Sequence, residues 1–299
     1  MLQARTSTPA LASGIEAFVA GLRLHIEQQA PQLLTHYDTY AAEASFGRQW
    51  LDKELVKLPL GSSILEIGAG MFLLACQLQR EGFSVTALEP VGGGFSHFHQ
   101  LQEQVISYAR EHGALPILLR CTAEELYSTK HYDFAYSLNV MEHVADVTAA
   151  ITRIMKVLKP QARYRFVCPN YAFPFETHFK IPILWNKVVT FYVFQTRILT
   201  DTSVEDPQGL WDSLNWITVG KLQRLCAALT LQSVFDPAIL TDYVGRAMHD
   251  STFSTRHQWI HRIIHTLQKI GLLRLLRLIP VRLMPVMDCT LTQAMTRRP

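Results

Sequence analysis

Charge is scarce in this chain, and unbroken apolar runs are missing. Asp, Glu, Lys and Arg make up 18% of the 299 residues and leave a formal net charge of +3, which excludes the concentrated positive field of a dedicated nucleic-acid binder. No stretch holds the ~20 uncharged apolar residues of a membrane-spanning helix. Cysteine is sparse too. Cys76, Cys121, Cys168, Cys226 and Cys289 are odd in number and widely spaced, with no Cys-x-x-Cys pair and no His/Cys metal spacing. A disulfide framework is therefore not expected, no metal ligands are assigned, and a reducing cytoplasm is the expected compartment. The first residues, Met1 to Gly14, carry one arginine and no continuous apolar region, so a signal peptide is not expected. What the chain does have is 48% hydrophobic residues, enough for a full core in one large domain or a domain with insertions.

The most informative stretch is Ile64 to Ala75, a short β-type apolar run that breaks at Gly68 and Gly70 and continues as a helix. Glycines at such a turn admit a positive φ and let a ligand press on the backbone, while the unpaired N–H groups of the new helix point outward. The turn marks a nucleotide-type site. A phosphate-binding loop would need Gly-Lys-Ser or Gly-Lys-Thr, and Phe72-Leu73-Leu74 stands there. A dinucleotide fold would want a third glycine where Leu73 stands, which weakens an NAD(P)-linked oxidoreductase without excluding it.

The order Glu66-x-Gly68-x-Gly70, with Glu89 nineteen residues after Gly70 at the end of the next strand, resembles the S-adenosylmethionine site of class I methyltransferases. Tyr132 to Val144, with its Glu142-His143-Val144 continuation, resembles that family's fourth strand. The resemblance is good over Ser62 to Pro169 and thin on the flanks. It implies that Glu66 helps hold the methionine part of the cofactor, that Gly68 and Gly70 make room for it, and that Glu89 accepts both ribose hydroxyls. It implies adenine contacts at Thr122, which replaces the family's usual aspartate, and at Ala123. Leu138 and Asn139 fall beside the methionine part. A second departure is Phe72, which occupies the family's third glycine position and makes that wall of the turn bulkier. A non-catalytic module with a degraded pocket is the reading these two departures leave open.

Strand and helix alternate from Ser62: strands at Ile64–Ile67, Ser84–Leu88, Ile117–Arg120, Tyr132–Ser137 and Tyr164–Cys168, helices at Phe72–Glu81, near Phe98–Glu111, and at Val147–Leu158. That is the pattern of an α/β fold, a parallel sheet wrapped by helices whose ligands sit off the carboxyl ends of the strands. With the resemblance, the expected fold is Rossmann-like, a mostly parallel seven-stranded sheet with helices on both faces, N-terminal helices and two insertions. Residues 1–61 form the helical cap, with Tyr37, Tyr40 and Phe46 read chiefly as packing. Residues 62–170 form the cofactor core, 171–216 a substrate-lid insertion, 217–237 more core around a Thr-capped helix and a strand, 238–285 a basic insertion, and 286–299 the last strand, from Cys289 to Met295, and a tail.

The insertion after the fifth strand, Phe173 to Phe179, resembles the Tyr-Glu-Pro-His-Phe loops of methyltransferases found with glycan and lipid-linked sugar pathways. The plainer alternative is a hydrophobic flap whose Glu176 and His178 face solvent. Methyl transfer needs alignment and exclusion of water, and a hydroxyl acceptor needs a base. His178, Glu176 and His143 are the candidates, and no metal is required. The expected reaction moves a methyl group from S-adenosylmethionine, leaving S-adenosylhomocysteine, to an oxygen nucleophile on a small or lipid-linked acceptor, a glycan intermediate among the options. Ser251 to Met287 lacks Asp and Glu while carrying six Lys or Arg residues beside apolar residues at helical spacing, so it reads either as a cap helix or as a peripheral contact with an anionic membrane, at the inner face.

Overall fold

The computed structural model describes residues 9–90, 96–202, 204–249, 266 and 272–294. It opens with helices α1 (Pro9–Gln29) and α2 (Leu34–Leu55), parted by a 3-10 turn at Pro31–Leu33, where proline has no N–H to continue the first helix. Ile15, Phe18, Leu22 and Ile26 are buried, as their helical spacing predicts. Tyr37 and Phe46 are buried as well, the Tyr37 hydroxyl donates to the Val19 carbonyl at 2.6 Å, and Tyr40 meets Phe98 edge-on. These aromatics pack the helices together.

Alternation follows: β1 (Ser63–Ile67), α3 (Leu73–Arg80), β2 (Ser84–Leu88), α4 (Ser96–Glu111), β3 (Ile117–Leu119), β4 (Tyr132–Leu138), α5 (Val147–Lys156) and β5 (Leu158–Pro169). A small hairpin comes next, β6 (Phe175–Glu176) with β7 (Ile181–Pro182), then α6 (Lys187–Leu199), α7 (Pro207–Ser213), α8 (Val219–Ala228), β8 (Leu231–Phe235), α9 (Ala238–His249), two 3-10 turns and β9 (Val286–Gln293). Seven strands make one sheet in the order β3-β2-β1-β4-β5-β9-β8, mostly parallel and flanked by helices. β1 pairs in parallel with β2 and β4, and β9 runs antiparallel to β5 and β8. In β1 and β2 every residue after the first is buried, the continuous apolar reading of strands covered on both faces. Among the described residues no helix is long and apolar enough to cross a membrane.

The chain divides into two compact units, Met1–Ser137 with Lys156–Ala162, and Leu138–Met155 with Arg163–Pro299. Within the first, the buried guanidinium of Arg48 bonds Glu81 at 2.7 Å and Asp52 at 2.5 Å. Within the second, Arg165 on β5 bonds Asp288 on β9 through two nitrogens, at 3.0 and 2.6 Å. Thr218 caps α8 as its sequence indicates, its hydroxyl accepting from the Lys221 amide at 3.1 Å.

Several boundaries differ from the sequence reading, most by a residue or two. The helix after the first turn starts at Leu73, with Phe72 as its left-handed N-cap. α5 stops at Lys156 and β5 already begins at Leu158, because the Val157 carbonyl accepts the Tyr132 amide at 2.9 Å and draws the chain into strand geometry, Pro160 included. β9 starts at Val286 rather than Cys289, since Val286 already pairs with Pro169, and it ends at Gln293. The loop at Gly92 to Gly94 lies outside the described residues, as does most of the basic segment over residues 251–271.

Candidate functional site

The candidate site residues fall into two groups, one in each unit. In the first unit the turn between β1 and α3 keeps the conformation glycine is chosen for: Gly68 has φ +64° and Gly70 φ +51°, with open space where a Gly70 Cβ would stand. The Gly70 amide donates to Glu89 Oε2 at 2.8 Å, and its carbonyl accepts from Gln102 Nε2 at 2.7 Å. Glu89, at the end of β2, is therefore built into the turn while remaining partly exposed. Gln102 is a buried polar residue of α4 that motif reading missed; its place among the buried positions of that helix is the signal.

Phe72 departs from glycine without departing from glycine's backbone. It takes φ +61°, and its ring is wholly buried beneath the Arg120 guanidinium, 4.9 Å from the ring centre. The expected bulky wall is corrected here, because the bulk goes into the core while the backbone still turns.

Glu66 is buried on β1. Burial drives its pKa up to about 8, with the Glu89 charge adding to the rise, against weaker lowering by Tyr136 and the Ala75 backbone. Glu66 Oε2 and the Tyr136 hydroxyl are both buried without a hydrogen-bond partner of good geometry, although the two residues influence each other's titration. Glu89 is also raised by burial, opposed by the Gly70 amide and the Arg120 charge. Thr122 and the buried Ala123 lie on the turn after β3, a strand joined to the Glu89 backbone by the Glu89 amide and the Leu119 carbonyl at 3.0 Å. The Thr122 hydroxyl donates to Glu125 Oε2 at 3.1 Å, which engages its proton and leaves its oxygen able to accept.

In the second unit, Leu138 ends β4 and Asn139 takes φ +53°, its amide bonded to the Val167 carbonyl at 2.8 Å. The turn that follows presents Glu142 and His143 and is clamped by Asn215, whose side-chain nitrogen bonds the Met141 and Val144 carbonyls at 2.6 and 2.8 Å. From the loop after β5 come Glu176 and His178. Glu176 is wholly buried and accepts four hydrogen bonds, from His178 Nδ1 at 2.6 Å, the His178 and Phe179 amides at 3.1 and 2.7 Å, and the Tyr171 hydroxyl at 3.4 Å. Burial disfavours its charged form, yet these bonds outweigh burial and hold its pKa below the usual carboxylate range. His178 moves the other way, because the Glu176 bond and charge outweigh the lowering by burial. The solvent-facing flap considered for these two residues is thereby corrected.

His143 and His178 stand with ring centres 5.5 Å apart, nearly edge-on at 72°. Burial and the neighbouring His178 lower the His143 pKa to about 4, against the pull of Glu176. His143 Nδ1 lies 2.9 Å from Ser213 Oγ, which itself donates to the Leu210 carbonyl at 2.8 Å. Tyr171, which bonds Glu176, stacks on Trp216 at 5.4 Å, and Trp211 meets Trp216 edge-on. Ser213, Tyr171 and Trp216 were not singled out as site residues, since nothing in their local sequence marks them.

Residues 36–227 match the family model of a methyltransferase domain. An uncharacterized protein of Mycobacterium tuberculosis, Rv1509, is 44% identical over 281 residues, 93% of this chain and 95% of that protein. A ubiquinone biosynthesis O-methyltransferase of Rickettsia conorii is 33% identical over 135 residues, 45% of this chain and 42% of its own. Among solved structures, the phosphoethanolamine N-methyltransferase 2 of Haemonchus contortus, in complex with S-adenosylmethionine, aligns with a TM-score of 0.46 at 13% identity, over 79% of this chain and 50% of that one.

Proposed function

Because this chain belongs to the class I S-adenosylmethionine-dependent methyltransferases, we propose that its acceptor is a small molecule methylated on a hydroxyl oxygen, with His178 as the base. S-adenosylmethionine is the cofactor and S-adenosylhomocysteine the product. The residues of the first unit fit that cofactor: Glu66 Oε2 is a buried acceptor lacking a partner, and the Gly70 backbone is open to close approach. In this reading Glu66 and the Gly68–Gly70 turn hold the methionine part, Glu89 the ribose, and Thr122 and Ala123 the adenine.

When bound, the cofactor supplies a methyl group on a sulfonium, open to in-line displacement with a neutral thioether as leaving group. The chain's own contribution is to receive a proton. Glu176, acceptor only when ionised, fixes the Nδ1 proton of His178 and leaves the Nε2 lone pair to take the hydroxyl's proton as the O–C bond forms. The observation that carries the reading is this 2.6 Å bond to a carboxylate held anionic by its other donors. His143, beside it, is the second candidate. The Rickettsia relative is an O-methyltransferase by name, which supports an oxygen acceptor. A panel of phenols, catechols and sugar alcohols, assayed for S-adenosylhomocysteine release and methyl ethers, tests it; transfer only to amines or carboxylates would overturn it.

We extend the proposal to a lipid-linked acceptor, of which a glycan intermediate is one form, met at the cytoplasmic face of a membrane. What supports this is apolar exposure at and just before α6: Val188 and Tyr192, four apart on one side of the helix, are 77% exposed each, and Trp185, in the turn before it, is 90% exposed. Co-sedimentation with anionic and neutral vesicles at low and high salt decides it, and no binding at low salt removes the membrane.

A further inference from the structure

We propose that Glu142, His143 and His178 form a binding site for one divalent transition-metal ion of the zinc or cobalt type, held by the Nε2 atoms of both histidines and one carboxylate oxygen. One ligand atom from each of the three lies within 4.8 Å of the other two, and Glu142 Oε1 is 3.9 Å from His143 Nε2. At metal bonds of about 2.0 to 2.2 Å, ligand atoms sit ~3 to 3.5 Å apart around a tetrahedral ion, so closure takes about an ångström of side-chain rotation.

The hydrogen bonds around the histidines fix which nitrogen is offered. His178 Nδ1 faces Glu176 Oε1 at 2.6 Å, and an ionised carboxylate only accepts, so Nδ1 carries the proton. Ser213 has one hydroxyl proton and gives it to the Leu210 carbonyl, so toward His143 Nδ1, 2.9 Å away, it accepts. His143 therefore also carries its proton on Nδ1. Both imidazoles are thus left with an unprotonated Nε2, that of His143 lying 3.9 Å from Glu142 Oε1, and both are oriented through Nδ1, one by a carboxylate and one by a hydroxyl. That is the arrangement in which metal-binding histidines are held, their second nitrogen bonded to an outer partner.

Each ligand also sits on a fixed backbone. Asn215 clamps the turn of Glu142 and His143 through the Met141 and Val144 carbonyls, and its own amide donates to the Glu142 carbonyl at 2.8 Å. Four donors on Glu176 hold the loop of His178. Two imidazoles and one carboxylate suit zinc, cobalt, nickel or ferrous iron and not magnesium, which demands oxygen ligands. Three protein ligands leave coordination positions open to water or an oxygen ligand. Local spacing hid the set, because His143 and His178 are thirty-five residues apart.

The inference goes beyond the acceptor reading and concerns a second state of the same residues: the ion-free protein has the His178 Nε2 lone pair that the proposed base needs, and the ion-loaded protein does not. The test therefore reads binding without turnover. Full-length protein stripped with chelator is titrated with cobalt(II), followed by the visible bands of a four- or five-coordinate site, and with zinc by calorimetry. The expected result is one equivalent bound, cobalt displaced by zinc and not by magnesium. His178→Asn and Glu142→Gln each weaken binding at least about 100-fold, and Ser213→Ala, which removes only an orienting partner, weakens it about 10- to 100-fold. Circular dichroism checks the fold of each variant, and if Glu142→Gln does not fold, His178→Asn and Ser213→Ala decide. Binding of cobalt by the parent no tighter than by His178→Asn, or unaltered in both variants, overturns the site. S-adenosylmethionine binding and methyl transfer, measured on the same stripped samples, report separately on the methyltransferase reading.

Discussion

Glu89 accepts the Gly70 amide at 2.8 Å, so the acid at the end of β2 is a structural member of the turn it follows by nineteen residues. In the reading proposed above, that carboxylate serves both the turn and the cofactor's ribose. Gln102, bonded to the Gly70 carbonyl at 2.7 Å, is a second side chain tied to the same turn.

Glu89→Ala is expected to stay folded and to bind S-adenosylmethionine more weakly by about 2 to 4 kcal/mol, ~30- to 1,000-fold, for two lost charge-assisted bonds. Glu89→Gln, which keeps an oxygen for the Gly70 amide, should lose less. Calorimetric titration measures both, and parent-like affinity in Glu89→Ala would reject the ribose assignment.

Glu66 predicts a pH dependence of definite sign. Its folded pKa, raised by burial to about 8 from 4.5, means that the folded protein holds a proton there which the unfolded chain has released. That contribution to stability is complete below about 4.5, falls as pH rises and is gone above about 8. Melting temperature should therefore drop more steeply between about pH 6 and 8 for the parent than for Glu66→Gln. A cationic ammonium placed against Glu66 reverses the preference, so cofactor binding near neutral pH should release a proton; calorimetry in buffers of different ionisation enthalpy detects it, and an equal release in Glu66→Gln would place the proton elsewhere.

His178→Ala is expected to lower the turnover of a hydroxyl acceptor about 100- to 10,000-fold with cofactor affinity intact. Glu176→Gln can donate where Glu176 accepted, so the tautomer of His178 is no longer imposed and kcat should fall with little change in KM. Unchanged turnover in His178→Ala moves the base to His143 or removes the need for one.

Asp288→Ala tests the sheet rather than the site. Arg165 and Asp288 are 6% and 2% exposed, and removing one partner of a buried pair typically costs about 3 to 5 kcal/mol. Asp236, 4.0 Å from the Arg165 guanidinium, offers partial compensation and places the expected loss at the lower end. Denaturant unfolding gives the value, and a loss below about 1 kcal/mol would mean that the strand pair does not depend on this bond.

Local sequence was sufficient for much of the fold. The buried runs of β1 and β2, the cap at Thr218 and the break at Pro31 are decided by neighbours within a few residues, so periodicity and capping chemistry expose them. The Glu66, Gly68, Gly70 and Glu89 set was legible for the same reason, since a strand, a turn and the next strand's end fix its spacing. Boundaries were less so: β5 begins at Leu158 because Val157 bonds Tyr132, a partner twenty-five residues away that no local pattern indicates.

By itself the sequence determined the alternation of strand and helix, the glycine turn and the acids that flank it, because those follow from steric permission and hydrophobic period along the chain. Only the tertiary structure decided that Phe72 buries its ring while its backbone keeps a left-handed turn, and that Glu176 bonds His178 from within the core. It alone brings Glu142, His143 and His178 within reach of one another, with Ser213 and Asn215 behind them. The physical reason is the same in each case. Burial, charge pairing and the tautomer of an imidazole depend on which atoms meet in space, and residues thirty-five positions apart carry no mark in the chain that they will meet.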